Sequence, residues 1–277
     1  MISLEGGETE TVGRREGTGD EGMWNHIKPS RLGIYVGITY LFLIALAEIL
    51  TVEDARIGIT AHIFILFATL IHSTLTSDRN LSAFIMSLVL APLIRILSIS
   101  MPLTHFSRIS WFMLISIPIF IAIFTCIYLQ GIKLGDVGFP KPILRNIPLE
   151  CGVIPLAVPL GFAEYQILKP EPLPHHSFIG ASLILIICTG LMEELTFRGL
   201  LQYNATKVMS KWSGILLISA IFAVLHIGNL SILDCIFAFF VGFLFSIVRE
   251  RTGTIYGISI SHGLINIILF LVAPLMQ

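Results

Sequence analysis

Apolar residues fill nine stretches of the chain, near residues 32 to 52, 57 to 75, 81 to 101, 109 to 129, 147 to 165, 177 to 200, 213 to 230, 232 to 248 and 254 to 274. Most are close to twenty residues long, which suits a helix rising about 1.5 Å per residue through a hydrocarbon layer about 30 Å thick. The pattern predicts an all-α fold, a polytopic helical membrane protein with about nine transmembrane helices. The fifth stretch is the weakest, because Pro148, Pro155 and Pro159 interrupt it. Each proline removes a backbone donor from the helical ladder, and a re-entrant segment there would reduce the count to eight.

The first 30 or so residues read differently. The run GGETETVGRREGTGDEG is rich in Gly, Glu and Thr and has no apolar core of a signal peptide, so residues 1 to 30 are expected to form a disordered tail. Nine spans would put that tail on the same side as the second, fourth, sixth and eighth loops. Arg14, Arg15, Lys28, Arg31, Arg79, Lys133, Lys141, Arg145, Arg198, Lys207, Lys211, Arg249 and Arg251 fall on this side. Arg56, Arg108 and Lys169 fall on the other, and Arg95 lies within a span. Thirteen of 17 basic residues therefore share one face, which places the N-terminus in the cytoplasm.

Composition agrees. The 277 residues are 55% hydrophobic and 13% charged, against about 25% charged in soluble proteins, and the mean hydropathy is +0.88. An integral membrane protein is expected, with the cell membrane as its site and the bilayer as its solvent. A formal net charge of −1 supplies no basic surface for nucleic acid. Cys126, Cys151, Cys188 and Cys235 stand singly in apolar surroundings and read as core thiols.

Ionisable groups inside a span cost about 2.5 to 3.5 kcal/mol each on insertion scales, so they point to function. Three clusters qualify. In MEELTFRG, Glu194 and Arg198 are i and i+4 neighbours that can pair, whereas Glu193 projects about 100° away from Glu194. One carboxylate is neutralised and the other is free to work. In FAVLH, Phe222 and His226 share a helix face. In SHGLIN, His262 and Asn266 stack at i, i+4 and can both donate to a developing oxyanion. Counted from the span ends, the three clusters lie at comparable depth, which suggests one water-accessible cavity.

These runs, EELTFR at 193 to 198, FAVLH ending at His226 and HGLIN from His262, resemble the EExxxR, FxxxH and HxxxN motifs of the CPBP family. That family comprises type II CAAX prenyl endopeptidases and prokaryotic Abi or bacteriocin-processing intramembrane proteases. The resemblance covers about residues 175 to 275. It implies residues 31 to 170 as N-terminal transmembrane helices and 171 to 277 as a catalytic transmembrane core. It further implies that Glu193 and His226 activate a water, that Glu194 and Arg198 hold the helix and its charge balance with Phe222 in support, and that His262 and Asn266 stabilise the tetrahedral oxyanion. The expected partner is a membrane-associated peptide or protein, lipidated ones included.

A metal-free mechanism is favoured. Zinc on Glu193, His226 and His262 is the alternative, but spending those groups as ligands leaves Glu194, already committed to Arg198, as the remaining base. No HExxH stands in the chain, Ser259 and Ser261 do not form GxSG, and Asp136 in LGDVG is not the GxGD of aspartyl intramembrane enzymes. Two other functions fit the same clusters: a proton-coupled membrane transporter, and a noncatalytic immunity or scaffold protein of the same fold. Outside them, Arg95 is expected to pair with Glu48 or Glu164, His62 and His72 to make hydrogen bonds between helices, and Asp234 to sit at a helix start.

Overall fold

The computed structural model describes residues 31–101, 107–141, 143–174 and 177–276; the tail of residues 1–30 lies outside them. Among the described residues there are no strands and nine helices long and apolar enough to cross a membrane. In chain order these are α1 Arg31–Glu53, α2 Ala55–Leu75, α3 Arg79–Ser100, α4 Arg108–Gln130, α5 Leu144–Leu168, α6 Phe178–Val208, α7 Lys211–Asn229, α8 Ile232–Thr252 and α9 Tyr256–Met276.

Polar punctuation sets the helix starts. Asp54, Asp78, Ser107, Ser177, Ser210 and Ser231 each accept a backbone N–H of the first turn that follows, pairing donors that have no partner within the helix. Prolines shape the interiors. In α3 the helical run breaks at Val89, three residues before Pro92, whose ring crowds the preceding turn. The proline-bearing α5 is a continuous span of 25 residues, and its prolines are absorbed by 3₁₀ turns at Leu144–Asn146 and Ile154–Leu156.

The sixth span is longer than its apolar pattern indicated, 31 residues rather than an end near residue 200. Its last turns are polar because they bond to other helices. Gln202 donates to the Ser246 carbonyl at 3.0 Å and Asn204 to Gln130 Oε1 at 2.9 Å. The cysteine expectation needs one correction. Cys126 and Cys188 are buried, but Cys151 is exposed, because α5 is the least buried of the nine spans.

Small residues draw the helices together. A Cβ on Gly190 of α6 would lie 2.6 Å from the Ser259 carbonyl and 2.7 Å from the Gly263 nitrogen of α9, and one on Gly263 would lie 2.6 Å from Ile186 Cα. Glycine at both positions lets these backbones touch, as small residues commonly do between membrane helices. The α6–α9 crossing holds the EELTFR and HGLIN segments side by side. One hydrophobic cluster runs through the bundle and includes Ile44, Phe84, Ile119, Phe197, Ile218, Phe245 and Ile258. Phe42, Phe64, Leu183 and Phe240 are exposed on its outside, where a bilayer would solvate them.

The start of α9 is held from α5. No side chain of its own caps it, and Glu150 takes that role. Its carboxylate accepts the Gly257 N–H at 2.6 Å and the Thr254 hydroxyl. One turn on, Ser261 donates to the Val153 carbonyl at 3.0 Å.

Candidate active site

Glu193 and Glu194 lie near the middle of α6, on a short α-helical step between two π-helical stretches, Leu185–Leu191 and Leu195–Leu201. Such widened turns recur at functional sites. The two carboxylates part as their helical angle requires. Glu194 is wholly buried and accepts from Arg198 Nη1 at 3.0 Å. The Glu193 side chain keeps 27% of its surface open.

Arg198 is enclosed by aromatic rings. Its guanidinium carbon stands 4.4 Å from the centre of the Phe222 ring, and about as near Phe197 and Phe245 as a weaker cation–π contact allows, at 5.9 and 6.0 Å. Gly242 of α8 makes the room, since a Cβ there would meet Arg198 Nη2 at 2.7 Å. A fully buried arginine is costly; this one is repaid by Glu194 and three π faces.

His262 of α9 stands between the two glutamates. Its Nδ1 is 2.7 Å from Glu194 Oε1 and its Nε2 is 3.6 Å from Glu193 Oε2. Because an ionised carboxylate only accepts, Nδ1 carries the hydrogen in that bond. Glu194 thus serves both Arg198 and His262, fixing the ring with Nε2 turned to the open carboxylate. Asn266, one turn on, donates to Thr189 Oγ1 at 2.8 Å, and that hydroxyl donates to the Leu185 carbonyl. The carboxamide expected to face an oxyanion is therefore anchored to α6 through one of its two hydrogens.

His226 lies just past the α-helical part of α7. Its Nδ1 is 2.9 Å from the Phe222 carbonyl, which can only accept, so the ring carries a hydrogen on Nδ1, and in the neutral ring the lone pair is on Nε2. The Phe222 ring touches both imidazoles edge to face, with centroids 4.9 Å from His226 and 6.1 Å from His262. Phe222 is the hub of the cluster, in contact with Arg198, His226 and His262.

A three-ligand metal site needs its donors to converge on one point. Glu193 and His262 approach one another, but among the described residues no three His, Cys, Asp or Glu side chains converge as a metal ion requires. As placed here, Glu193, His226 and His262 do not converge as a three-ligand set.

Of the remaining polar residues, Arg95 goes to Glu48, with Nε 2.7 Å from Oε1. The other option, Glu164, sits instead within electrostatic reach of Asp234, His262 and Glu193. Glu164 and Thr189 were not singled out for this site, although both carried a signal: Glu164 is an acid inside a span, and Thr189 lies i−4 from Glu193 on α6. His62 Nε2 stands 3.3 Å from Glu48 Oε1, and His72 Nδ1 shares a hydrogen bond with the Tyr40 hydroxyl at 2.9 Å. Asp234 accepts from Asn229 Nδ2 at 2.8 Å at the start of α8.

No curated relative and no solved structure matches the chain. Residues 175–268 match the family model described as type II CAAX prenyl endopeptidase Rce1-like. That span holds Glu193, Glu194, Arg198, Phe222, His226, His262 and Asn266, the residues that three helices bring together here. The ordered motifs, their convergence and that match make residues 175–268 similar to an Rce1-like domain of type II CAAX prenyl endopeptidases, consistent with the CPBP family, and the nine long apolar helices mark an integral membrane protein.

Proposed function

We propose that the protein is an intramembrane endopeptidase in which Glu193 activates a water for attack on a peptide carbonyl. The observation that carries this reading is the division of labour between adjacent carboxylates. Glu194 is closed off by Arg198 and His262, while Glu193 stays partly open with an oriented imidazole 3.6 Å away. A general base must be able to reach the proton it takes.

The chemistry balances with the residues present. The water oxygen forms a bond to the carbonyl carbon, and its proton passes to Glu193, with the open Nε2 of His226 as a second acceptor. Negative charge then develops on the carbonyl oxygen. His262, when it carries a proton on Nε2, and the second hydrogen of the Asn266 amide donate to it. The C–N bond breaks, the leaving amine takes the proton held by Glu193, and the products are a carboxylate and an amine. The substrate class this reading favours is a membrane-associated peptide, prenylated or otherwise lipidated, and the cell membrane is the proposed location.

Comparative proteomics of membranes bearing the native protein or Glu193→Gln tests the reading. The native protein should generate a new C-terminus that the variant does not. Equal peptide patterns, accompanied by proton-driven uptake into vesicles, would replace the peptidase with a transporter.

A further inference from the structure

A second buried ionic group lies in α1 to α3, outside the residues that match the family model. Glu48 and His62 are wholly buried, and Glu48 holds the Arg95 guanidinium through Nε. The far end of that guanidinium crosses to α7, where Arg95 Nη2 donates to the backbone carbonyl of Leu225. A Cβ on Gly228 would lie 3.5 Å from Arg95 Nη1, so the side chain is laid along the turn that contains His226.

That turn is not α-helical. In an α-helix the His226 N–H would bond the Phe222 carbonyl and the Asn229 N–H would bond that of Leu225. Here the His226 N–H goes to Ala223 at 3.0 Å and the Asn229 N–H to His226 at 2.9 Å. The tightened turn removes the usual backbone donors from the carbonyls of Phe222 and Leu225, among others. In a membrane interior each such carbonyl needs another donor. Phe222 receives the His226 ring Nδ1–H, and Leu225 receives Arg95.

We propose that Arg95, held by Glu48, is a positioning residue for His226. By satisfying the Leu225 carbonyl it stabilises the tightened turn. The turn in turn leaves the Phe222 carbonyl for the imidazole and so fixes the tautomer with a bare Nε2. This rests on the peptidase reading for its effect on turnover but not for its effect on the ring, and the test separates the two.

The experiment uses full-length protein in detergent micelles with ¹⁵N-labelled histidine, the His226 ring signals being assigned with His226→Asn. Native protein should show the pattern of a neutral ring protonated on Nδ1. Arg95→Met should convert the His226 signals to a mixture of tautomers while leaving those of His262, anchored by Glu194, in place; Arg95→Lys should restore the native pattern in part. If Arg95→Met does not fold, Glu48→Gln with Arg95→Met, which leaves no unpaired buried charge, replaces it. With a farnesylated CaaX peptide as probe, the same variants should lower kcat about tenfold to a hundredfold, within the range of acid–base contributions, with KM little changed. An unaltered His226 pattern in a folded Arg95→Met protein overturns the inference whatever the turnover. Full turnover by Glu193→Gln overturns the peptidase reading and leaves the ring measurement to decide the role of Arg95.

Discussion

Two groups of glutamate, histidine and arginine lie inside this bundle, and they close their charges differently. Around Glu48, one carboxylate meets Arg95 and His62, so every charge has a protein partner. Around His262, two carboxylates face one histidine and one arginine, and Glu193 remains partly open. Paired charges in low dielectric mainly hold structure, whereas removing one partner exposes the rest to the full desolvation cost. On the reading proposed above, the surplus carboxylate is what would make the second group reactive, and the full pairing of the first is what would make it a brace.

The sharpest way to break that contrast is at Glu193. Glu193→Gln keeps the shape and removes the basicity, and should lower turnover by about 10² to 10⁴, the range for one acid–base group, with the thermal midpoint unchanged. Normal turnover would show that the open carboxylate is not the base. Arg198→Met should act on folding instead, destabilising the protein by about 3 to 5 kcal/mol because Glu194 is left buried without its arginine cation. Glu194→Gln added to it should recover much of the yield, scored by size-exclusion chromatography, but not the activity, since His262 loses its carboxylate acceptor.

His262→Ala and Asn266→Ala should each reduce kcat by about 10² to 10³, as for a lost oxyanion donor. Steady-state kinetics that put the loss in KM alone would assign both to substrate binding. The smallest effect is expected farthest from either group. Deleting residues 1 to 25 should leave the turnover of purified protein nearly intact, because a segment of that composition cannot build a span; an inactive truncation with normal expression would contradict this.

Hydropathy was enough to count the spans, since an apolar run near twenty residues long has few other uses. It misplaced the end of α6 because Gln202 and Asn204 look like exit signals when read singly, although both are buried against other helices. The Glu194–Arg198 pair was legible as well, being an i, i+4 contact within one helix. The bond from His262 to Glu194 was not, because it joins residues 68 apart. Nor was the choice of Arg95 between Glu48 and Glu164.

What the sequence determined by itself was therefore local: the number of helices, the in-membrane acids and imidazoles, and the one ion pair written in helical spacing. Only the tertiary structure decided which carboxylate is closed off by His262 and which stays open, that Asn266 is tied to Thr189, and that Arg95 of α3 reaches the Leu225 carbonyl beside His226. The physical reason is that hydropathy and helical period act over a few turns of one segment. Helix contacts such as Gly190 against Gly263 are set by side-chain shapes meeting across the bundle, and no single segment contains that information.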